Sequence, residues 1–127
     1  MRLIVYINGR SCKKDALRSI IQSAKIEHFI AIFFSINTLS NFLQFSSHKD
    51  LLVLLWISSI IELNELIRFS DLYHEQKIIL VLPDNKEETV FLGYRLYPRY
   101  VGYSDGNLQA IMSVLNKLTA CNECYSV

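Results

Sequence analysis

The sequence has few of the features that mark disordered, disulfide-stapled or membrane-spanning chains. Its 127 residues include two prolines, four glycines and three cysteines, and 13 basic residues almost balance 12 acidic ones. A net charge of +1 provides no general field that would attract nucleic acid or an anionic membrane. The longest apolar runs, at 29–36 and 51–61, are shorter than the roughly 18 to 20 residues that span a bilayer. We therefore expect no partner of either kind.

The cysteines and the N-terminal run exclude two further classes. The run "LIVYI" is too short for the core of a signal peptide, which indicates a cytoplasmic protein. An odd count of Cys12, Cys121 and Cys124 without an export signal favours reduced thiols. The spacing of "CNEC" suits a redox or metal motif, but zinc needs four ligands, and neither a second cysteine pair nor a histidine cluster supplies them. We expect no metal, no cofactor and a C-terminal tail at 121–127, with a redox role for Cys121 and Cys124 as a minor alternative.

Apolar material is ample, at 51% of the residues, and much of it is arranged in β-type runs. We predict strands at 2–7, 28–35, 50–57, 77–82 and 99–103. Four of these runs are almost continuously apolar, as expected of strands that are covered on both faces of a parallel sheet. Residues 1–120 are therefore expected to form one α/β domain.

Helix-like segments separate the strands. We predict helices that begin after Ser11, near Asn37, after Ser59 and after Asn107, and an ambiguous segment at 85–97. In the third helix, an apolar stripe that includes Ile61 is opposed by a polar face that includes Glu62 and Glu65. Alternating strands and helices predict a doubly wound three-layer sandwich, with a five-stranded parallel sheet in the flavodoxin-like order 2-1-3-4-5.

Four strand ends, "LIVYING", "LLVLLWIS", "ILVLPD" and "VGYSDGN", occur where a signalling family carries its chemistry. The layout resembles the receiver domain of response regulators across nearly the whole chain. In that family, an acidic pair after the first strand holds magnesium and an aspartate after the third accepts phosphate. A hydroxyl residue follows the fourth strand, and a lysine follows the fifth. The resemblance implies the flavodoxin-like fold and a place in signal transduction.

The matching positions here depart from that pattern. Tyr6, Ile7 and Asn8 stand where the acidic pair would be, and Leu55 or Trp56 replaces the aspartate. Pro83 falls near the hydroxyl position, and Ser104, or Tyr103, falls near the lysine position. Magnesium prefers carboxylate oxygens, and neither Leu nor Trp can accept a phosphoryl group. We therefore expect a non-enzymatic pseudo-receiver that is not phosphorylated on aspartate. We also hypothesise that the Trp56 ring fills the place of the acidic pocket.

The segment "FLGYRLYPRYVGY" interleaves tyrosine with arginine. Both residue types are enriched in interface hot spots, because they bury a large area and keep a polar group. In receivers, the corresponding region is the usual dimer and partner face. We predict protein contacts, and a homodimer, through Tyr94, Arg95, Tyr97, Arg99 and Tyr100.

An alternative function is open from the sequence. Ligands of parallel sheets bind outside the carboxyl ends of the strands, where Asn8, Ser35, Asn37, Ser59 and other polar residues are expected to collect. A small-molecule-binding or enzymatic domain would use Asn8, Arg10, Ser58, Asp84 and Ser104 there. It would also require a concave pocket of about 300 Å³ or more.

Overall fold

Five parallel strands form one sheet in the order β2-β1-β3-β4-β5, as predicted. The strands are β1 (Arg2–Ile7), β2 (Phe29–Phe33), β3 (Leu51–Trp56), β4 (Lys77–Leu82) and β5 (Tyr100–Tyr103). The structure is a computed structural model that describes residues 2–9, 15, 17–18, 29–45, 51–69, 76–103 and 113. The strand order reverses on either side of β1, because the chain leaves β1 for one edge and returns past it to β3.

Three helices are described between the strands: α1 (Ile36–Phe45), α2 (Ile60–Arg68) and α3 (Glu87–Tyr94). The first two follow the predictions, and the ambiguous segment at 85–97 contains α3. Most of the helices predicted after Ser11 and Asn107 lies outside the described residues, as do Cys12, the domain end at 120 and the tail. No helix within the described part of the chain has the length and hydropathy needed to cross a membrane.

Alternate side chains of the strands build a core on each face of the sheet. The first core cluster lies under α1, α2 and α3 and includes Tyr6, Leu55 and Leu63. The second cluster lies on the opposite face and includes Ile7, Trp56 and the helical residue Leu17. The two clusters confirm a three-layer arrangement, with helical residues packed on both faces of the sheet.

Small residues hold α3 close to the sheet. Thr89 and Gly93, one helical turn apart, are its buried positions. A Cβ atom on Gly93 would lie 2.9 Å from a methyl carbon of Leu80 and 3.3 Å from methyl carbons of Leu82. On the outer side of α3, Phe91 and Tyr94 are 67% and 57% exposed, whereas Val90 and Leu92 pack against the first core cluster.

Candidate functional site

A buried carboxylate, Glu62, lies at the carboxyl ends of β1 and β3. Its side chain is only 7% exposed. One oxygen, Oε1, accepts hydrogen bonds from the Tyr6 hydroxyl at 3.0 Å and from Asn8 Nδ2 at 2.7 Å. The other, Oε2, accepts the backbone N–H of Ser58 at 2.6 Å. Glu62 therefore links β1, the loop after β3 and the first turn of α2.

The start of α2 explains how Glu62 reaches this place. Ser59 is the N-cap, and its Oγ accepts the backbone N–H of Glu62 at 3.4 Å. A glutamate three residues after a serine N-cap folds its side chain back toward the preceding backbone, as in a capping box. In this protein Glu62 Oε2 accepts the N–H of Ser58, the residue before the N-cap, instead of the N–H of the N-cap itself.

Two assignments along the predicted α2 were wrong. Glu62 was placed on the solvent-facing side of the helix but is buried, and Ile61 was placed in the apolar stripe but is 69% exposed. The reason is that the first turn lies at the edge of the sheet, where polar donors from β1 replace the apolar core. The signal that could have found Glu62 is the spacing "SIIE" at 59–62, which is the sequence of a capping box.

A cleft of about 420 Å³ opens beside Glu62. Its described lining comes from β1, from the residues that follow β1 and β2, and from α1 and α2 with the N-cap of α2: Tyr6, Asn8, Phe34, Ser35, Ile36, Asn37, Ser59, Ile61, Glu62 and Glu65. We call this feature the strand-end cleft. The prediction that polar residues after the first three strands would converge there holds for Asn8, Ser35, Asn37 and Ser59.

The residues of the alternative ligand site do not all lie together. Asn8 lines the cleft and donates to Glu62, and Ser58 takes part through its backbone N–H. Asp84 follows β4 and is not among the described lining residues. Arg10 and Ser104 lie outside the described residues, as do Cys121 and Cys124.

Asp84 organises the turn that leads into α3. Its Oδ1 accepts the backbone N–H of Lys86 at 3.0 Å, two residues further along the chain. A hydrogen bond from the Thr89 side chain, followed in size by the bond from Lys86, lowers the pKa of Asp84 below its ordinary value of 3.8. These contacts give the carboxylate a local role in a turn of the kind that "PDN" favours.

Trp56 does not face the strand-end cleft. Its ring is 1% exposed and belongs to the second core cluster, whereas Tyr6 belongs to the first cluster on the other face of the sheet. Because Trp56 pairs with Ile7, the two side chains point to the same face. The hypothesis that this ring fills the place of an acidic pocket is therefore wrong; the side chain at the strand ends is Glu62. Among the described residues, no three His, Cys, Asp or Glu side chains are grouped so that they could hold a metal ion.

The tyrosine and arginine segment divides into exposed and half-buried positions. Tyr94 is 57% exposed and Tyr97 is 83% exposed, while the side chains of Arg95 and Arg99 are also exposed. Tyr100 is partly buried against the second core cluster. We call the exposed part of this region, together with Phe91, the α3–β5 surface.

Tyr97 has an unusual backbone for its residue type. Its φ is +54°, and it is followed by a proline. The left-handed region is unfavourable for a bulky L-residue, and a residue before proline favours an extended conformation. The ring that this backbone carries is 83% exposed.

Two solved structures share the fold of this chain. A response regulator receiver domain from Rhodospirillum rubrum matches with a TM-score of 0.66 and 15% identity, covering 96% of this chain and 94% of that one. A response regulator protein from Burkholderia pseudomallei, solved with a phosphorylated aspartic acid, a calcium ion and citrate, matches with a TM-score of 0.61 and 8% identity, covering 100% of this chain and 74% of that one. Neither the protein-family models nor the curated proteins give a significant match. The resemblance to receivers is therefore confirmed at the level of the fold.

Proposed function

We propose that this chain is a cytoplasmic, receiver-like signalling domain that acts through protein contacts and is not phosphorylated on aspartate. The observation that carries the proposal is which side chains lie at the carboxyl end of β3. β3 ends in Leu55 and Trp56, whose side chains contain no oxygen and are buried in the core. The carboxylate near that place, Glu62, comes from α2 and has hydrogen-bond donors on both oxygens.

The environment of Glu62 argues against its use as a phosphoryl acceptor. A nucleophilic carboxylate must present an oxygen to the incoming phosphorus, and the two oxygens here accept three hydrogen bonds. Rotation of the carboxylate toward an incoming phosphorus would weaken these bonds, and a hydrogen bond to a charged group is worth roughly 1.5 to 3 kcal/mol. The arrangement favours a carboxylate that fixes the strand ends in one conformation.

The charge pattern of α3 supports a homodimer. Glu87 and Glu88 lie in its first turn, and Arg95 follows its last residue, with all three side chains exposed. An eight-residue helix is about 12 Å long, so two antiparallel copies would place the acidic end of each beside the basic end of the other. The exposed rings of Phe91 and Tyr94 would then supply the apolar centre of the interface.

The proposal is tested by adding beryllofluoride and magnesium to the purified protein. We expect no amide NMR shifts around Asn8, Ser58 or Asp84, and a light-scattering mass of two chains that does not change on addition. Saturable shifts at these residues would overturn the proposal that the chain is not phosphorylated on aspartate. A mass of one chain at every concentration would overturn the homodimer.

A second candidate function is favoured by the strand-end cleft. Its volume of about 420 Å³ exceeds the roughly 300 Å³ expected of a small-molecule site. A ligand-binding domain would use this cleft through Asn8, with residues after β2 and in α2 in place of those after β4 and β5.

A further inference from the structure

Three hydrogen-bond donors converge near the carboxyl ends of β1 and β3. They are the hydroxyl of Tyr6, the side-chain amide of Asn8 and the backbone N–H of Ser58. All three donate to the carboxylate of Glu62, which comes from the first turn of α2. The donors and their acceptor are therefore placed by different parts of the fold.

The two donors from β1 are positioned by contacts that do not involve Glu62. The Tyr6 side chain is 1% exposed and is packed in the first core cluster. The backbone directly after Asn8 is tied to the residue that follows β2, because the N–H of Gly9 donates to the carbonyl oxygen of Phe34 at 3.1 Å. Packing and a backbone hydrogen bond thus hold this side of the donor set.

The third donor is also positioned independently. The residue before Ser58 is tied to β4, because the N–H of Ile57 donates to the carbonyl oxygen of Val81 at 2.8 Å. The donor set is therefore largely preformed by the sheet. A preformed set of donors binds a ligand with little cost of ordering.

The arrangement of the donors selects a carboxylate. Glu62 Oε1 accepts the two donors from the β1 side, and Oε2 accepts the backbone N–H that follows β3. An acceptor must present two oxygens to serve both sides at once, and a carboxylate does so without adding a donor, whereas a hydroxyl has one oxygen. The buried Tyr6 hydroxyl adds to this demand, because a buried donor without an acceptor is costly.

The donor set also borders open space. Tyr6, Asn8 and Glu62 all line the strand-end cleft of about 420 Å³. A small molecule that enters the cleft would therefore reach the donors if the Glu62 side chain did not cover them.

We propose that the three donors form a carboxylate-binding site that Glu62 occupies as a tethered ligand. Small carboxylates are then kept out of the unmodified chain, and they enter when the Glu62 side chain is removed. This inference goes beyond the signalling role proposed above and does not depend on it. It differs from a purely structural tie, because a tie that is cut leaves no site for a free carboxylate.

The test uses sodium acetate and the full-length Glu62→Ala variant at neutral pH, followed by backbone amide NMR. We expect saturable shifts at residues 6–8 and 58 in the variant and none there in the unmodified chain. Acetamide has a similar shape without the charge and should bind roughly tenfold more weakly, because hydrogen bonds to an ionised acceptor are stronger. No saturable shifts in the variant, equal binding of acetamide, or the same shifts in the unmodified chain would each overturn the proposal.

Two matched variants show whether acetate enters the space that Glu62 leaves. Glu62→Gln keeps the volume of the side chain, so the site should stay closed to acetate. Glu65→Ala deletes the same side chain from an exposed position of α2 and should also give no saturable shifts. A response of either variant equal to that of Glu62→Ala would place the acetate elsewhere and overturn the site.

Folding provides a second readout, which also serves if Glu62→Ala is largely unfolded in buffer. A ligand that binds only the folded state raises the folding equilibrium constant about tenfold for each tenfold increase in its concentration above the dissociation constant. We expect this dependence on acetate in Glu62→Ala, beyond the change that acetate causes in the unmodified chain through its general effect as a salt. A gain no larger than that reference would overturn the proposal.

Discussion

The strand-end cleft and the α3–β5 surface handle their polar and aromatic groups in opposite ways. At the cleft, a charged side chain is buried and the protein supplies its partners: Glu62 is 7% exposed and accepts from Tyr6, Asn8 and Ser58. At the α3–β5 surface, a large ring is held outside, and Tyr97 is 83% exposed on a left-handed backbone. The polar group of the first region is thus satisfied inside the protein, whereas the rings of the second region are exposed to solvent.

Removal of the Glu62 side chain should have the largest effect on stability. Glu62→Ala deletes the acceptor of three hydrogen bonds and leaves buried donors around an empty space, so we expect the free energy of unfolding to fall by about 3 kcal/mol. Chemical denaturation followed by far-UV circular dichroism measures the change. The loss would appear as a lower midpoint with an unchanged slope.

The matched control lies one helical turn further along α2. Glu65→Ala removes the same side chain from an exposed position, and its effect should stay within about 0.5 kcal/mol. If both variants lost the same stability, Glu62 would be an ordinary helix-surface residue and its hydrogen bonds would carry no special weight. The contrast between cleft and surface would then disappear.

The α3–β5 surface should respond in the opposite manner, with weaker association and little change in folding. Tyr97→Asn keeps a residue that tolerates the left-handed backbone and removes the exposed ring. If the ring is an interface hot spot, the dissociation constant of the dimer should rise roughly 30-fold, the equivalent of about 2 kcal/mol. Analytical ultracentrifugation over a dilution series measures this constant.

Ile61→Asn is the corresponding control for a change of exposed apolar area. Ile61 is 69% exposed at the start of α2 and is not part of the α3–β5 surface, so its replacement removes exposed apolar area elsewhere on the protein. The dimer of the Ile61→Asn variant should have the same dissociation constant as the dimer of the unchanged protein. An unchanged constant in the Tyr97 variant would instead move the interface away from this surface.

The fold could be predicted because its signals are local and repeated. Four of the five β-type runs are almost continuously apolar, and β4 was placed at its observed bounds, Lys77–Leu82. Buried parallel strands leave little freedom in topology once helices separate them, since the crossovers are right-handed. The α3 segment could not be assigned from the sequence because Gly93 interrupts its helical pattern. The glycine is needed there because the helix backbone lies close to Leu80, which is a tertiary contact.

The candidate site was harder to predict because it depends on which side chains meet at the carboxyl ends of neighbouring strands. Polar residues after the first three strands were expected to meet, and Asn8, Ser35 and Asn37 do line one cleft. Glu62 was missed because helical periodicity alone assigns it to the solvent side, whereas its burial depends on donors from Tyr6 and Asn8, more than 50 residues away. The location of the Trp56 ring was also predicted wrongly. Side chains alternate between the two faces of a sheet, so a difference of one residue along the strand decides which face the ring packs on.

The smallest expected effect comes from protonation of Asp84, the carboxylate in the turn that leads into α3. Hydrogen bonds from Thr89 and Lys86 hold the folded pKa of Asp84 below its ordinary value of 3.8, so the ionised form stabilises the fold. That contribution is fully present above the unfolded pKa and is lost as the pH falls through the lower, folded pKa. Carboxyl-carbon NMR should show Asp84 titrating below 3.8, and Thr89→Val should return its pKa toward that value because the main donor is gone. A pKa of Asp84 that Thr89→Val leaves unchanged would show that the turn before α3 is held by Lys86 alone, and α3 would then be less tightly coupled to the loop after β4.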